Sequence, residues 1–228
     1  MARAAGGARD GSRRPGLCHD PSVLPTLKRL RRNSLVSMTV TIAVVLGLVF
    51  AVQALAVKPY QIPSESMEPT LQIGQRIVVE RVGHRLGSTP SVGDIIVFHP
   101  AKDPEEGGCS DHDQGGGTPT PCAVPRPDAD SSTFVKRVVG VPGDRIELRR
   151  GRVIRNGKRT SEPFIRRCAS GDDCTFPRTI TVPKDTVYVL GDNRGNSEDS
   201  RYWGPVRVSW VIGNAVGTYW PPKRVGGL

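Results

Sequence analysis

Three polar stretches carry residues whose types and spacing could do chemistry. Ser64 and Ser66 flank Glu65 in the proline-bounded turn Ile62-Pro-Ser-Glu-Ser-Met-Glu-Pro-Thr-Leu71. Lys136 lies in Thr133-Phe-Val-Lys-Arg-Val-Val-Gly-Val-Pro-Gly-Asp144, and Ser197 in Gly191-Asp-Asn-Arg-Gly-Asn-Ser-Glu-Asp-Ser-Arg201. A serine hydroxyl attacks an amide poorly unless a base takes its proton. Lysine can be that base only when neutral, and at an ordinary pKa of ~10.4 about one in 2,500 is neutral at pH 7. Burial among apolar side chains lowers that pKa, because the charged form loses its hydration. Histidine is the commoner base, but His19 lies in the basic N-terminal stretch, His112 in the Gly- and Pro-rich stretch at 100–132, and His84 and His99 have no motif around them. Each stretch also has a plainer reading. The first and third could be hydrogen-bonded turns, and Lys136 could snorkel past its strand to water.

Such residues need a scaffold, and the pattern outside residues 35–57 is that of strands. Arg76–Glu80, Asp94–Phe98, Phe134–Val139, Thr186–Leu190 and Val211–Thr218 are β-branched and apolar. Arg145–Arg149 and Arg152–Arg155 flank Arg150-Gly151, a hairpin signal, and Asn156-Gly157 is a tight-turn signal. Side chains alternate along a strand, so Phe134, Lys136 and Val138 share one face. These signals predict an all-β or mostly-β domain over residues 58–222, followed by a short tail at 223–228. Residues 100–132, rich in Gly, Pro and Asp, form an expected long exposed insertion, and residues 160–180 a second excursion.

Ahead of this domain, Leu35–Val57 runs without a charged residue. As a helix it would be roughly 35 Å long, enough to cross a ~30 Å hydrocarbon core. Residues 1–34 hold eight Lys and Arg against two acids, whereas the rest of the chain holds 24 against 20. Basic residues beside an apolar run orient a chain in a membrane, which puts residues 1–34 in the cytoplasm as a disordered basic tail and residues 58–228 outside. Ala54-Leu55-Ala56 resembles the cleavage site of a secretory leader, but such leaders have an apolar core of only ~7–15 residues. With aromatics at 5% and charge concentrated in the tail, nothing suggests a nucleic-acid surface.

Cys109, Cys122, Cys168 and Cys174 follow the apolar run and Cys18 precedes it. An even number on the outer side suits disulfides, with proximity favouring Cys168–Cys174 and Cys109–Cys122; buried or free thiols are the other reading. No cysteine spacing resembles a zinc site, so neither a metal nor a cofactor is expected.

Taken together, the SxSMxPTL, KRVVGxPGD and GDNRxNSxDSR blocks, in this order after an apolar anchor, resemble the bacterial type I signal peptidases. The resemblance covers roughly residues 35–100 and 133–220. It implies a membrane-anchoring N-terminal helix followed by an all-β catalytic domain with a long loop insertion, which cleaves signal peptides from exported preproteins after a small-x-small motif. By position, Ser66 resembles the nucleophile and Lys136 its general base. Ser64, with the Ser66 backbone N–H, resembles the oxyanion hole. Ser197 resembles the serine that orients the lysine, while Asp199, Arg201, Gly191 and Asp192 resemble the residues that hold the site together. Gly195 departs from the Asp that many members carry. Substrate would lie near Gln61, Ile62, Pro63, Thr133, Phe134 and Val135, with Met67 and Leu71 as further walls. The implied partners are signal peptides and the lipid bilayer, with the protein-export channel nearby and Tyr60 and Trp203 as candidate lipid contacts. A self-cleaving repressor-type peptidase would need a DNA-binding segment where this chain has its apolar run. A non-catalytic anchored β domain that binds exported proteins would leave the coincidence of Ser66, Lys136 and Ser197 unexplained.

Overall fold

The computed structural model describes residues 23–102, 122–169 and 174–228, apart from the side chains of 23–33, 51–55, 85 and 177. The chain forms two compact units that divide after Phe50. Helix α1 covers Val23–Ala56, so it starts well inside the stretch expected to be a disordered tail. Residues 1–22 lie outside the described residues. The side chains of residues 34–50 in α1 are all exposed, and Ala56 at its end is half-buried. Among the described residues no helix is long and apolar enough to cross a membrane.

The second unit is mostly β. In chain order it holds β1 (Val57–Gln61), β2 (Arg76–Glu80), the one-turn helix α2 (Val82–Arg85), β3 (Ile95–Phe98), β4 (Phe134–Gly140), β5 (Arg145–Arg149) and β6 (Arg152–Arg155). There follow β7 (Lys158–Arg159), β8 (Phe176–Thr181), β9 (Thr186–Leu190), the one-turn helix α3 (Ser200–Trp203), β10 (Val206–Arg207), β11 (Val211–Trp220) and β12 (Gly226–Gly227). The larger sheet runs β1-β2-β11-β3-β4-β9-β10, with β12 on β11; the smaller runs β7-β6-β5-β8. Every named strand pair is antiparallel.

Burial follows the sequence pattern. In β2 and β5 alternate residues, Ile77 and Val79 or Ile146 and Leu148, are buried. The continuous apolar runs of β3 and β9 are buried throughout, as expected of strands covered on both faces. Those two strands flank β4, which carries Lys136. Three apolar clusters surround this centre. Ile96, Phe98, Val138 and Trp203 belong to one, Ile146, Phe176, Tyr188 and Leu190 to a second, and Ile62, Met67, Leu71 and Val97 to a third.

The expected strands are present, with ends moved by at most two residues, and Arg150-Gly151 joins β5 to β6. Four differences have physical reasons. Val57 opens β1 rather than closing the helix, because β1 pairs with β2 through its whole length. Phe176–Thr181 is strand β8, although the cysteines made 160–180 look like an excursion; it pairs with β5 and buries Phe176 and Ile180. The 100–132 insertion is anchored rather than wholly exposed. Its ends meet at an Ala101–Ala129 bridge, and Ala101 and Cys122 are buried. Trp203 is 1% exposed, packed against Phe98 in the core, and so unavailable to lipid.

Cys168 and Cys174 form a disulfide. Cys122 is also disulfide-bonded, and its expected partner Cys109 lies outside the described residues.

Candidate active site

Ser66 stands in a single 3-10 turn, Glu65–Met67. Core packing holds this turn in place: Ile62 before it, Met67 at its end and Leu71 after it are buried in one cluster. Asn193 secures it from across the fold. Its backbone N–H donates to the Ser66 carbonyl at 3.0 Å, and its side-chain amide to the Glu65 carbonyl at 3.2 Å. Asn196 donates to the Glu65 carboxylate at 2.6 Å. The Ser64 and Ser66 hydroxyls are 3.2 Å apart.

Lys136 pairs with Ile96 of β3, and its Nζ lies 2.6 Å from Ser66 Oγ. Lys136 is 4% exposed, so it does not snorkel to water. The structure thus brings together two residues 70 positions apart in the chain. Loss of hydration lowers the Lys136 pKa to about 8; the negative charge of Asp199 opposes this, the Arg201 charge adds to it, and Glu198 and Asp192 also oppose it. Below that pH the ammonium donates to Ser66. Above it the amine has a free lone pair, and the hydroxyl can donate instead.

The loop between β9 and α3 closes the site. Asp199 Oδ2 accepts from the Gly191 N–H at 3.0 Å, Ser197 Oγ at 2.8 Å and Arg201 Nη2 at 2.9 Å. Its Oδ1 accepts from Arg201 Nε at 2.7 Å. Burial alone would raise the Asp199 pKa, but the Arg201 charge and these hydrogen bonds override it and hold the carboxyl below the usual range. Arg201 also donates to the Arg194 and Ser197 carbonyls, which sets the curvature of the loop. Among the described residues, Nζ of Lys136 is hydrogen-bonded to Ser66, and the Ser197 hydroxyl spends its proton on Asp199. Ser197 lines the cleft beside the lysine, but its hydroxyl bonds Asp199, whose charge favours the protonated lysine, and not Lys136 itself.

Gly191 is required by close approach. A Cβ there would overlap the Ser197 hydroxyl and lie 2.5 Å from the Ser66 carbonyl oxygen. Asp192, next to it, takes a two-pronged ion pair from Arg137 and a 2.5 Å hydrogen bond from Thr70. Arg194 makes a buried ion pair with Glu162 at 2.6 Å and donates to the Gly151 and Gly191 carbonyls.

Beside Ser66 and Lys136 lies a cleft of about 470 Å³. Of the expected substrate-contacting residues, Ile62, Pro63, Met67, Thr133, Phe134 and Val135 line it. Gln61 and Leu71 do not. Gln61 is exposed at the end of β1, opposite Arg76, and Leu71 is enclosed in the core. β9 pairs with β4 only from Arg137 onward, so among the described residues 133–136 have one edge unpaired beside the cleft. Ile73, Glu65, Asn196 and Glu198 also line it. Sequence reasoning passed over these four and over Arg137, Asn193, Arg194 and Glu162. The one available signal was alternation, which puts Arg137 on the face opposite Lys136. Among the described residues, no group of three or more His, Cys, Asp or Glu could hold a metal ion.

Comparison with known proteins gives consistent matches. The family described as "Signal peptidase, peptidase S26" matches residues 35–220. A protein named signal peptidase I from Leptolyngbya laminosa is 36% identical over 190 residues, covering 83% of this chain and 81% of the relative. A signal peptidase IB from Staphylococcus aureus is 30% identical over 204 residues, covering 83% and 92%. A crystal structure of a signal peptidase I from Enterococcus faecalis is 27% identical, with a TM-score of 0.39, covering 56% of this chain and 97% of that one. The assignment rests on the sequence matches: this chain belongs to the signal peptidases of peptidase family S26 and is an enzyme of that kind.

Proposed function

We propose that this enzyme is a membrane-anchored endopeptidase that removes signal peptides from exported preproteins with a Ser66–Lys136 dyad. The 2.6 Å contact between Nζ and Oγ, in a setting that strips the lysine of water, carries the reading. Neutral Lys136 takes the Ser66 proton as Oγ attacks the scissile carbonyl carbon. The Ser64 hydroxyl and the Ser66 N–H stabilise the oxyanion, a contribution of roughly 3–4 kcal/mol per donor in other enzymes. Collapse breaks the C–N bond, and the leaving amine takes the proton held by Lys136. Water then attacks the acyl carbon and gives a proton to Lys136, which passes it to Ser66 Oγ as the ester bond breaks, releasing the carboxylic acid and restoring the serine.

The unpaired edge of β4 supports binding of substrate as an added strand, backbone to backbone. Alternate substrate side chains would enter the apolar part of the cleft. Two of these, the first and third before the cut, would need to be small beside Ile62, Phe134 and Val135. The apolar run at 35–57 supports an anchor of α1 in the bilayer, with residues 58–228 outside the cytoplasm and close to the export channel. Neither a cofactor nor nucleic acid has a part.

Incubation of the purified chain with a preprotein, followed by sequencing of the new N-terminus, tests the activity. Ser66→Ala and Lys136→Ala should each lower kcat/KM by at least ~10³-fold with the fold retained, as loss of one member of a dyad does. Wild-type activity in either variant would reject the dyad. A reporter fused after Leu228 should be active only outside the cytoplasm; activity inside would reverse the orientation.

A further inference from the structure

Away from the cleft, the smaller sheet carries a concentration of positive charge that catalysis does not use. Arg149, Arg150, Arg152, Arg159 and Arg167 line an open cavity of about 660 Å³, with Thr175 and Cys168 completing its wall. They come from separate pieces of chain: the β5–β6 hairpin, β7, and the segment before the Cys168–Cys174 disulfide. Among the described residues no acid lines the cavity. Glu147 pairs with Arg149 at 2.5 Å, and among the described residues the other four arginines have no ion pair.

The arrangement is braced. The Gly151 N–H donates to the Cys174 carbonyl at 2.8 Å, and the Gly151 carbonyl accepts from buried Arg194. A Cβ on Gly151 would lie 2.7 Å from Cys168 Sγ, so the hairpin turn sits directly against the disulfide. The disulfide thereby holds Arg167 beside the arginines of the hairpin. Five like charges around one open space repel one another, so an anion entering it is favoured. Guanidinium groups suit an oxyanion best, because their planar forks match phosphate geometry two bonds at a time.

We propose that this cavity is a binding site for a phosphate group, either free phosphate or the phosphodiester of a lipid headgroup. The site is independent of the dyad and does not rest on the proposed mechanism. The test uses the full chain in a non-ionic detergent, titrated calorimetrically with inorganic phosphate, with short-chain phosphatidylglycerol below its micelle concentration, and with short-chain phosphatidylcholine. Binding of inorganic phosphate alone identifies the free ion, and tighter binding of a short-chain phospholipid identifies the headgroup. The double variant Arg152→Gln/Arg159→Gln should weaken whichever probe binds at least tenfold. Arg178→Gln, which removes an exposed charge outside the cavity, should change it less than twofold. Reduction of the disulfide should weaken binding at least threefold. Both variants should cut a soluble peptide at the wild-type rate, which also shows that they fold. If no probe binds, the proposal fails. It fails equally if Arg178→Gln weakens binding as much as the double variant.

Discussion

Arg137 and Asp192 meet in a two-pronged ion pair, Nε to Oδ1 at 2.9 Å and Nη2 to Oδ2 at 2.7 Å. One residue follows Lys136 on β4 and the other follows Gly191 at the end of β9, so the pair ties the base's strand to the loop that closes the site. The Asp192 side chain is wholly buried and that of Arg137 is 12% exposed. Removing one partner strands a buried charge, which typically costs ~3–5 kcal/mol. Arg137→Gln should therefore lower unfolding free energy by about that much and lower kcat more than it raises KM. Urea unfolding of the full chain in detergent checks this; a loss below ~1 kcal/mol would mean the pair is incidental.

Lys136 makes the fold weaker where it makes the chemistry possible. Its pKa is about 8 in the folded chain against 10.5 as the ordinary value. Between those values the unfolded chain binds more protons, so stability should rise with pH from about 8 to 10.5 and be lowest below 8. The depression corresponds to about 3 kcal/mol. Lys136→Met, which fills similar space without charge, should be more stable than wild type at pH 7, by an amount that shrinks as pH rises through that window. Thermal unfolding at pH 7 and pH 10 reads it out, and a variant less stable than wild type at pH 7 would contradict it.

Glu198, exposed on the cleft rim, favours the charged form of Lys136. Replacing it by Gln removes that influence, so the lysine should lose its proton at lower pH. The rising limb of kcat/KM, expected near pH 8 in the wild type, should move to lower pH in Glu198→Gln. An unmoved or alkaline-shifted limb would show that the limb belongs to another group.

Gly191 offers a steric test. A methyl there meets the Ser197 hydroxyl and the Ser66 carbonyl, and the carbonyl is backbone that cannot turn aside. Gly191→Ala should displace the Ser66 turn and lower kcat by about 10²-fold, the scale of a 1 Å misplacement. Activity within threefold of wild type would mean the loop yields freely.

What the sequence made legible was local. Alternation and turn residues marked β2, β5, β6 and β9, because each strand's burial follows from its own residues. β1 was hidden because Lys58 and Pro59 look like a helix stop, and its strand character comes from pairing with β2. β8 was hidden because cysteines and acids surround it, although Phe176 and Ile180 complete the second core. Similarity to a family pointed to Ser66, Lys136 and the residues of the closing loop. It could not give Asn193 holding the Ser66 carbonyl or Glu162 neutralising Arg194, because those contacts span 127 and 32 positions. Nor could it tell that Ser197 would turn to Asp199, which depends on where a third side chain lies.

The central claim is that the amine beside Ser66 is neutral often enough to take a proton near physiological pH. Direct titration of the Lys136 side chain by heteronuclear NMR, on the full chain with its nitrogen labelled, tests it. The account predicts a midpoint near pH 8, the same as the limb in the rate profile. A midpoint near the ordinary 10.5 would contradict it, because Ser66 would then have no base.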